Sequence, residues 1–160
     1  MAGRPRRCPV THDHTAYMQR AIALAREAGI RGDIPIGAVV VDATGAVIGE
    51  GSNARERDHD PTAHAEIIAL RQAAQARGDW RLHDCTMYVT LEPCPMCAGA
   101  CTMARLGTLV LGAWNEEYGA VGSRWDLVRD ARLSHRVEVV SGIASEECGD
   151  LVRSFLEERR

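Results

Sequence analysis

The sequence has little that would place the protein in a membrane or outside the cell. No apolar run reaches the roughly 18 residues from which a transmembrane helix is predicted. Residues 1–7 are basic, but neither an apolar core nor a cleavage site follows them, as both would in a secretion signal. We therefore expect a cytoplasmic protein that makes no contact with a membrane.

A disulfide framework is also missing. Two of the six cysteines, Cys94 and Cys97, share one short motif, and the others show no framework spacing: Cys8, Cys85, Cys101 and Cys148. Small secreted proteins use regularly spaced cysteines as cross-links, so this pattern favours reduced thiols instead.

An excess of positive charge is absent as well. The formal net charge is −3 at pH 7, and all 19 basic residues are arginine. A general nucleic-acid-binding protein would be basic, so any contact with a polynucleotide must come from a local patch. Because the arginines are spread along the chain, we attribute the lack of lysine to codon usage rather than to function.

Aromatic residues are few, with three tryptophans, three tyrosines and one phenylalanine, while 46% of the chain is hydrophobic. This composition predicts a core of alanine, valine, leucine and isoleucine. No repeat, linker or low-complexity segment interrupts the chain, and a protein of 160 residues can bury roughly two thirds of its unfolded surface as one domain. We expect residues 13–160 to form that domain and residues 1–12 to be a disordered N-terminal tail.

Hydrophobic periodicity predicts an α/β protein in which helices cover both faces of a five-stranded sheet. The predicted helices span residues 12–29, 61–77, 94–105, 125–132 and 145–159, the last with Ser145 as its N-cap. The predicted strands span residues 36–42, 47–51, 85–91, 107–113 and 136–140, and the first two form a hairpin. The polar segment 52–61 is predicted to be a loop.

The motif at residues 93–97, P-C-P-M-C, indicates a metal site. Cys94 and Cys97 are three residues apart, which places both sulfurs on one side of a first helical turn, and His64 can supply a third ligand. Zinc held by three protein ligands keeps a position for water, as in catalytic sites. Glu66 follows His64 by two residues and can lie beside that water, where it would accept and return protons.

Two other interpretations of the cysteines need weighing. A C-x-x-C pair alone also occurs in redox proteins and structural zinc knuckles. If Cys101 were a fourth ligand, the site would be closed, as in a zinc-stabilised RNA-binding or scaffold module. However, Cys101 should lie one turn beyond Cys97, so we predict that it is a small buried residue of the core. The full pattern, H-x-E followed by P-C-x-x-C, is the known signature of zinc-dependent nucleobase deaminases.

Further segments extend this resemblance over residues 13–160. Besides His64-Ala65-Glu66, the chain carries T-L-E-P-C-P-M-C-A-G-A at 90–100, G-A-V-G-S at 119–123 and H-R-V-E at 135–138, and its last helix contains a Glu-Cys pair. Together they resemble the bacterial tRNA-specific adenosine deaminases. The resemblance implies a cytidine-deaminase-like three-layer αβα sandwich with a mixed five-stranded sheet, and a homodimer. It also implies hydrolytic conversion of the wobble adenosine, position 34, of a tRNA anticodon stem-loop to inosine.

The resemblance assigns roles to particular residues of this zinc-dependent deaminase domain. His64, Cys94 and Cys97 would hold one Zn²⁺ per chain, and Glu66 would be the catalytic residue. Asn53 would contact the target nucleoside and Ile34 would help to line its pocket.

The resemblance also implies a third contact with the substrate, at residue 115, but there the chain differs from the family pattern. Asn115 stands where the family usually has an aspartate near the substrate backbone, Glu117 replaces a lysine, and Ser134 replaces an asparagine. A carboxylate can only accept a hydrogen bond, for example from a 2′-hydroxyl, whereas an amide can also donate one. Asn115 therefore raises the hypothesis of a weaker preference for RNA over DNA. The alternative is that asparagine in place of aspartate at residue 115 has no effect on function, because loop sequences vary.

A second enzymatic function stays open at this point. Deaminases of free guanine, free cytosine or nucleosides use the same zinc chemistry, and the core motif does not separate them from a tRNA deaminase.

Overall fold

The computed structural model describes residues 13–160, so the predicted tail at 1–12 lies outside the described part of the chain. The helices are α1 (His14–Ile30), α2 (Arg55–Asp58), α3 (Ala65–Arg77), α4 (Pro95–Met103) and α5 (Ser145–Glu157). The strands are β1 (Gly37–Val41), β2 (Val47–Ser52), β3 (Thr86–Leu91), β4 (Thr108–Ala113) and β5 (Glu138–Val140). Within residues 13–160, no helix combines the length and the apolar character that crossing a membrane requires.

The strands form one mixed sheet in the order β2-β1-β3-β4-β5. Strand β1 pairs antiparallel with both β2 and β3, whereas β3, β4 and β5 run parallel. A short turn suffices for the β1–β2 hairpin, but the parallel pair β3–β4 needs a crossover, and α4 supplies it. The mixed five-stranded sheet predicted from the sequence is confirmed.

Helices cover both faces of this sheet. Successive side chains of β1 point to opposite faces of the sheet. Val39 and Val41 are buried in the core between the sheet and helices α1 and α5. Ala38 and Val40 are buried in the core between the sheet and helices α3 and α4. Both cores consist mainly of aliphatic side chains and alanine, as the low aromatic content predicts. The structure is therefore the expected three-layer αβα sandwich.

Two glycines let α3 approach the sheet closely. A Cβ atom at Gly51 would overlap the carbonyl oxygen of Ala65, and one at Gly49 would lie 2.9 Å from the backbone nitrogen of Ala73. Only a residue without a side chain can occupy these positions, because backbone meets backbone there. The contact fixes the first turn of α3, which carries Glu66, against β2.

The start of α3 differs from the prediction. The helix begins at Ala65 rather than at Pro61, and His64 is its N-cap residue. The residues before it form a turn in which the carboxylate of Asp60 accepts hydrogen bonds from the backbone N–H and the hydroxyl of Thr62, both at 2.8 Å. This local side-chain bond competes with helix formation.

The segment 52–61 is not entirely a loop, because it contains the single turn α2. The carboxylate of Asp33 accepts hydrogen bonds from the backbone N–H groups of Glu56 (2.8 Å) and Arg57 (3.2 Å). Asp33 is fully buried and caps the N-terminus of α2, although it lies more than 20 residues earlier in the chain. Local sequence patterns do not reveal such a cap.

Two predictions near the C-terminus are wrong. Residues 125–132 form turns rather than a helix, since their backbone groups bond to neighbouring segments, as Leu127 N–H does to the Ala120 carbonyl at 2.9 Å. Ser145 is the first residue of α5 and not its cap. Ala144 holds the cap position with a left-handed backbone and no side-chain hydrogen bond.

Candidate active site

The predicted metal ligands lie at the N-terminal ends of two helices. His64 and Cys94 are the N-cap residues of α3 and α4, and both have extended backbones. Neither side chain caps its helix, so the imidazole and the thiol point away from the helix N–H groups. Pro95 occupies the first position of α4, where its missing N–H costs nothing, and Cys97 follows in the same turn.

The structure brings the three ligand atoms together. Nδ1 of His64 lies 3.7 Å from Sγ of Cys94 and 3.5 Å from Sγ of Cys97, and all three atoms lie within 4.8 Å of one another. Bond lengths of about 2.3 Å for Zn–S and about 2.0 Å for Zn–N give a tetrahedral N···S edge of about 3.5 Å. The donor set therefore fits zinc in both chemistry and spacing.

Cys101 does not belong to this site. It is fully buried among the apolar residues between the sheet and the helices α3 and α4, and burial raises the pKa of its thiol above the ordinary range. Within residues 13–160, the metal-binding group has only three members. A closed site with four protein ligands is thus not supported, and Cys101 has the core position predicted for it.

Glu66 lies in the first turn of α3 and is only 4% exposed. Its Oε2 is buried without a hydrogen-bond partner in the described part of the chain. Burial raises the pKa of this carboxyl to about 7. A buried carboxyl oxygen without a partner is costly, and with a raised pKa beside the metal-binding group it makes Glu66 a candidate for proton transfer.

The two thiols differ in acidity. A hydrogen bond from Cys97 lowers the pKa of Cys94 to about 4, and the same bond raises the pKa of Cys97. The hydrogen bond between Cys94 and His64 raises the pKa of the imidazole. The pair thus favours a thiolate at Cys94, the form in which cysteine binds metals.

Asn53 and Ile34 lie on neighbouring segments of the chain. Asn53 follows β2 directly, is 5% exposed, and its side-chain amide forms no hydrogen bond within residues 13–160. Ala54 N–H donates to the carbonyl of Ala63 at 2.9 Å, which holds this segment beside the residue that precedes His64. Ile34 is half-buried, and its segment reaches Asn53 through Ile36, whose carbonyl accepts the Asn53 N–H at 3.0 Å.

Asn115 is the second residue of the loop that follows β4. Its Oδ1 accepts the backbone N–H groups of Glu117 (3.3 Å) and Tyr118 (3.1 Å), which closes a turn. The amide nitrogen forms no hydrogen bond within residues 13–160. The side chain therefore uses its acceptor inside the loop, and its donor has no protein partner in the described part of the chain.

Sequence reasoning missed Glu92, which is 1% exposed. Its carboxylate accepts the backbone N–H groups of Asn115 (2.9 Å), Val121 (3.0 Å) and Ser123 (2.9 Å), and also the hydroxyl of Ser123. These bonds tie residues 114–125, hereafter the 114–125 loop, to the end of β3 next to Pro93. The sequence did contain a signal for a structural role of Glu92, because a charged residue stands there between a buried strand and the P-C-x-x-C motif.

Comparison with known proteins agrees with the geometry. Residues 11–113 match the family model of the cytidine and deoxycytidylate deaminase zinc-binding region. A tRNA-specific adenosine deaminase of Bacillus subtilis is 44% identical over 90% of this chain and 89% of its own length.

Solved structures give the same picture. One from a study of A-to-I editing by tRNA:A34 deaminases is 42% identical over 86% of this chain and 99% of its own, with a TM-score of 0.82. A guanine deaminase from Bacillus subtilis is 43% identical over 64% of this chain and 65% of its own, with a TM-score of 0.61. Both of the tRNA adenosine deaminases combine more than 40% identity with coverage of at least 86% of the chain. The protein belongs to the tRNA-specific adenosine deaminases of the cytidine and deoxycytidylate deaminase family.

Proposed function

We propose that this protein converts adenosine to inosine at the wobble position of a tRNA anticodon loop by zinc-dependent hydrolysis. The observation that carries the proposal is the three-membered donor set beside a buried carboxyl oxygen that has no partner in the described structure. His64, Cys94 and Cys97 would hold one zinc ion per chain.

The protein's own residues manage the protons of this reaction. When bound, zinc supplies an activated water near neutral pH. The carboxylate of Glu66 takes a proton from the water as its oxygen adds to C6 of adenine, and delivers that proton to a ring nitrogen. It then takes the proton of the hydroxyl newly added at C6 and passes it to the departing amine, so that the C6–N bond breaks, ammonia leaves and the C6 carbonyl of inosine remains.

Recognition of the base falls to the segment beside the metal ligands. The amide of Asn53 can both donate and accept a hydrogen bond, which suits the edge of a purine, and Ile34 offers an apolar wall. Because C6 is inaccessible in stacked bases, the target must be splayed out of its strand. An unpaired anticodon loop allows this at a lower cost than a duplex does.

The function can be tested by mass spectrometry of anticodon stem-loops incubated with the purified protein. We expect a single adenosine at position 34 to become inosine, and free adenine, guanine and cytosine to be poor substrates. Protein carrying Glu66→Gln serves as the negative control. Faster deamination of a free base than of any stem-loop would instead favour the free-nucleobase function.

We further propose a cytoplasmic homodimer built from one deaminase domain per chain, residues 13–160. Its support is the family resemblance, together with apolar side chains that α4 leaves at the surface, Met96 (37% exposed) and Met103 (68% exposed). Light scattering of the purified protein should give twice the mass of one chain, and a monomer at micromolar concentration would contradict the proposal.

Asn115→Asp is expected to increase the preference for RNA over DNA. The new carboxylate would still accept the N–H groups of Glu117 and Tyr118, but its second oxygen would replace the amide donor and could accept a 2′-hydroxyl proton. We expect the ratio of kcat/KM for RNA to that for DNA stem-loops to rise about tenfold, the value of one hydrogen bond to a charged group.

The matched control for this experiment is Glu117→Gln, which changes charge in the same turn without changing residue 115. Equal RNA-to-DNA ratios in wild type and Asn115→Asp would show that the exchange is neutral.

A further inference from the structure

Three large aromatic side chains lie exposed in or at the end of the 114–125 loop. Trp114 is 45% exposed, Tyr118 62% and Trp125 47%. They are two of only three tryptophans and one of three tyrosines in the chain. All three belong to one loop, and exposed apolar side chains that share a surface mark interaction sites more often than isolated ones do.

The six-membered ring of Trp114 contacts the backbone of its own loop while the residue stays half exposed. A Cβ atom at Gly122 would lie 3.4 Å from Cζ3 of the Trp114 ring and 3.4 Å from Nη2 of Arg129. The indole therefore rests beside Gly122, next to a guanidinium that is itself bonded to Asp126 and to the Val121 carbonyl. A ring supported in this way loses little freedom when a second flat group packs against it.

The loop is anchored directly to the active site. The backbone N–H of Ala120 donates to the carbonyl of Pro93 at 2.9 Å, one residue before the metal ligand Cys94. Glu92 holds the loop at Asn115, Val121 and Ser123. Trp114 directly precedes Asn115, and the backbone N–H of Tyr118 donates to the Asn115 side chain at 3.1 Å, so both aromatic residues belong to the part of the loop that carries the proposed substrate contact.

The charges of the loop favour contacts with bases rather than with phosphates. Glu116 and Glu117 are exposed and would repel a phosphate, whereas Arg129 is already paired with Asp126. Arg124 forms no salt bridge in the described part of the chain, but its guanidinium lies 5.8 Å from the Trp125 ring centroid. Aromatic faces are therefore the main binding feature that the loop presents.

We propose that Trp114 and Tyr118 form a stacking surface for the unpaired nucleobases next to the target adenosine. This inference rests on the proposed function. Moving the target base into the pocket removes a stacking partner from each neighbouring base, and an aromatic side chain can replace that partner. Stacking tolerates any base, so the surface would hold the strand without reading its sequence.

The test compares Trp114→Leu, Trp114→Phe and Tyr118→Leu on anticodon stem-loops. Each leucine variant should raise KM about tenfold, as expected for the loss of one base–aromatic stack, with little change in kcat. Phenylalanine should restore most of the lost affinity, because it keeps a π-face that leucine lacks. A plot of log KM against log salt concentration should have the same slope for the leucine variants as for the wild type, because stacking involves no phosphate. Loss of a phosphate contact would instead change that slope by about one unit.

Trp80→Leu is the matched control. Trp80 is 52% exposed and also carries an arginine, Arg81, 4.4 Å above its ring. It precedes the N-terminal end of β3, whereas Cys94 and Cys97 follow the C-terminal end of that strand, whose six residues span about 20 Å. This variant should deaminate stem-loops like the wild type.

Several results would overturn the stacking surface while leaving the proposed function intact. Unchanged KM in both leucine variants would do so, as would a loss in Trp114→Phe equal to that in Trp114→Leu. A change from dimer to monomer in light scattering would show that the patch binds a second copy of the chain. If the wild type itself fails to deaminate any stem-loop, the proposed function fails instead.

Discussion

Replacing Glu66 with glutamine is expected to lower kcat about a thousandfold while zinc content stays at one ion per chain. The amide has nearly the same size and can remain buried in the first turn of α3. However, it cannot take a proton from water and return it to the base. The measurements are single-turnover inosine formation and metal analysis of the same preparation.

The control variant is Glu56→Gln, which changes an exposed glutamate in α2 and should leave both quantities as they are. A second check is thermal stability: Glu66→Gln should be no less stable than the wild type, since it removes a buried carboxyl without a partner. Loss of zinc together with activity would show that Glu66 is a ligand, contrary to the proposed role.

The metal site could be predicted from sequence because its chemistry depends on residue types at short spacings. Cys94 and Cys97 meet within one helical turn, and the fold only has to bring His64 to them. Cys101 could be assigned to the core for the same reason, since one further turn carries its sulfur away from the site. The sheet was also predictable, because runs of β-branched residues mark its inner strands.

Element boundaries were less predictable where side chains compete with the backbone. Proline is common at the first position of a helix, so Pro61 suggested that α3 starts there. Instead, the side chain of Asp60 forms a turn with Thr62, and α3 begins at Ala65. The turn α2 is stabilised by Asp33, whose carboxylate accepts the backbone N–H of Glu56 from 23 residues away in the chain. A periodic pattern describes a helix once it is established, but it does not show which distant group caps the first turn.

Residues 114–123 could be recognised as a loop from their glycines and polar residues, but their anchoring by Glu92 escaped prediction because that residue lies in another part of the chain. Glu92 is 29 residues from Val121 and 31 from Ser123, so no local pattern links them. Its carboxylate makes the loop an ordered structure with defined positions for Asn115 and Trp114. A loop of this composition would otherwise be expected to move freely.

Glu92→Ala is expected to lower the free energy of unfolding by about 3 kcal/mol or more. The change leaves the N–H groups of Asn115, Val121 and Ser123 without their acceptor. The Val121 bond is buried and the other two are part-buried, and an unsatisfied buried donor costs about 1–3 kcal/mol. Urea unfolding followed by circular dichroism measures the effect. Glu117→Ala, an exposed glutamate of the same loop, should change stability by less than about 0.5 kcal/mol.

Hydrogen exchange can show whether the lost stability comes from the loop or from the whole fold. If Glu92 acts as the anchor of the loop, the amides of Val121 and Ser123, which both donate to its Oε1, should exchange faster in Glu92→Ala under native conditions, because the alanine side chain offers no acceptor oxygen. Amides in β1 should keep their protection, since their partners lie in β2 and β3. Unchanged exchange at both loop amides would mean that other contacts hold the loop in place. A specific loss there, with zinc still bound, would mean that one buried carboxylate positions the substrate-facing loop beside the metal ligands.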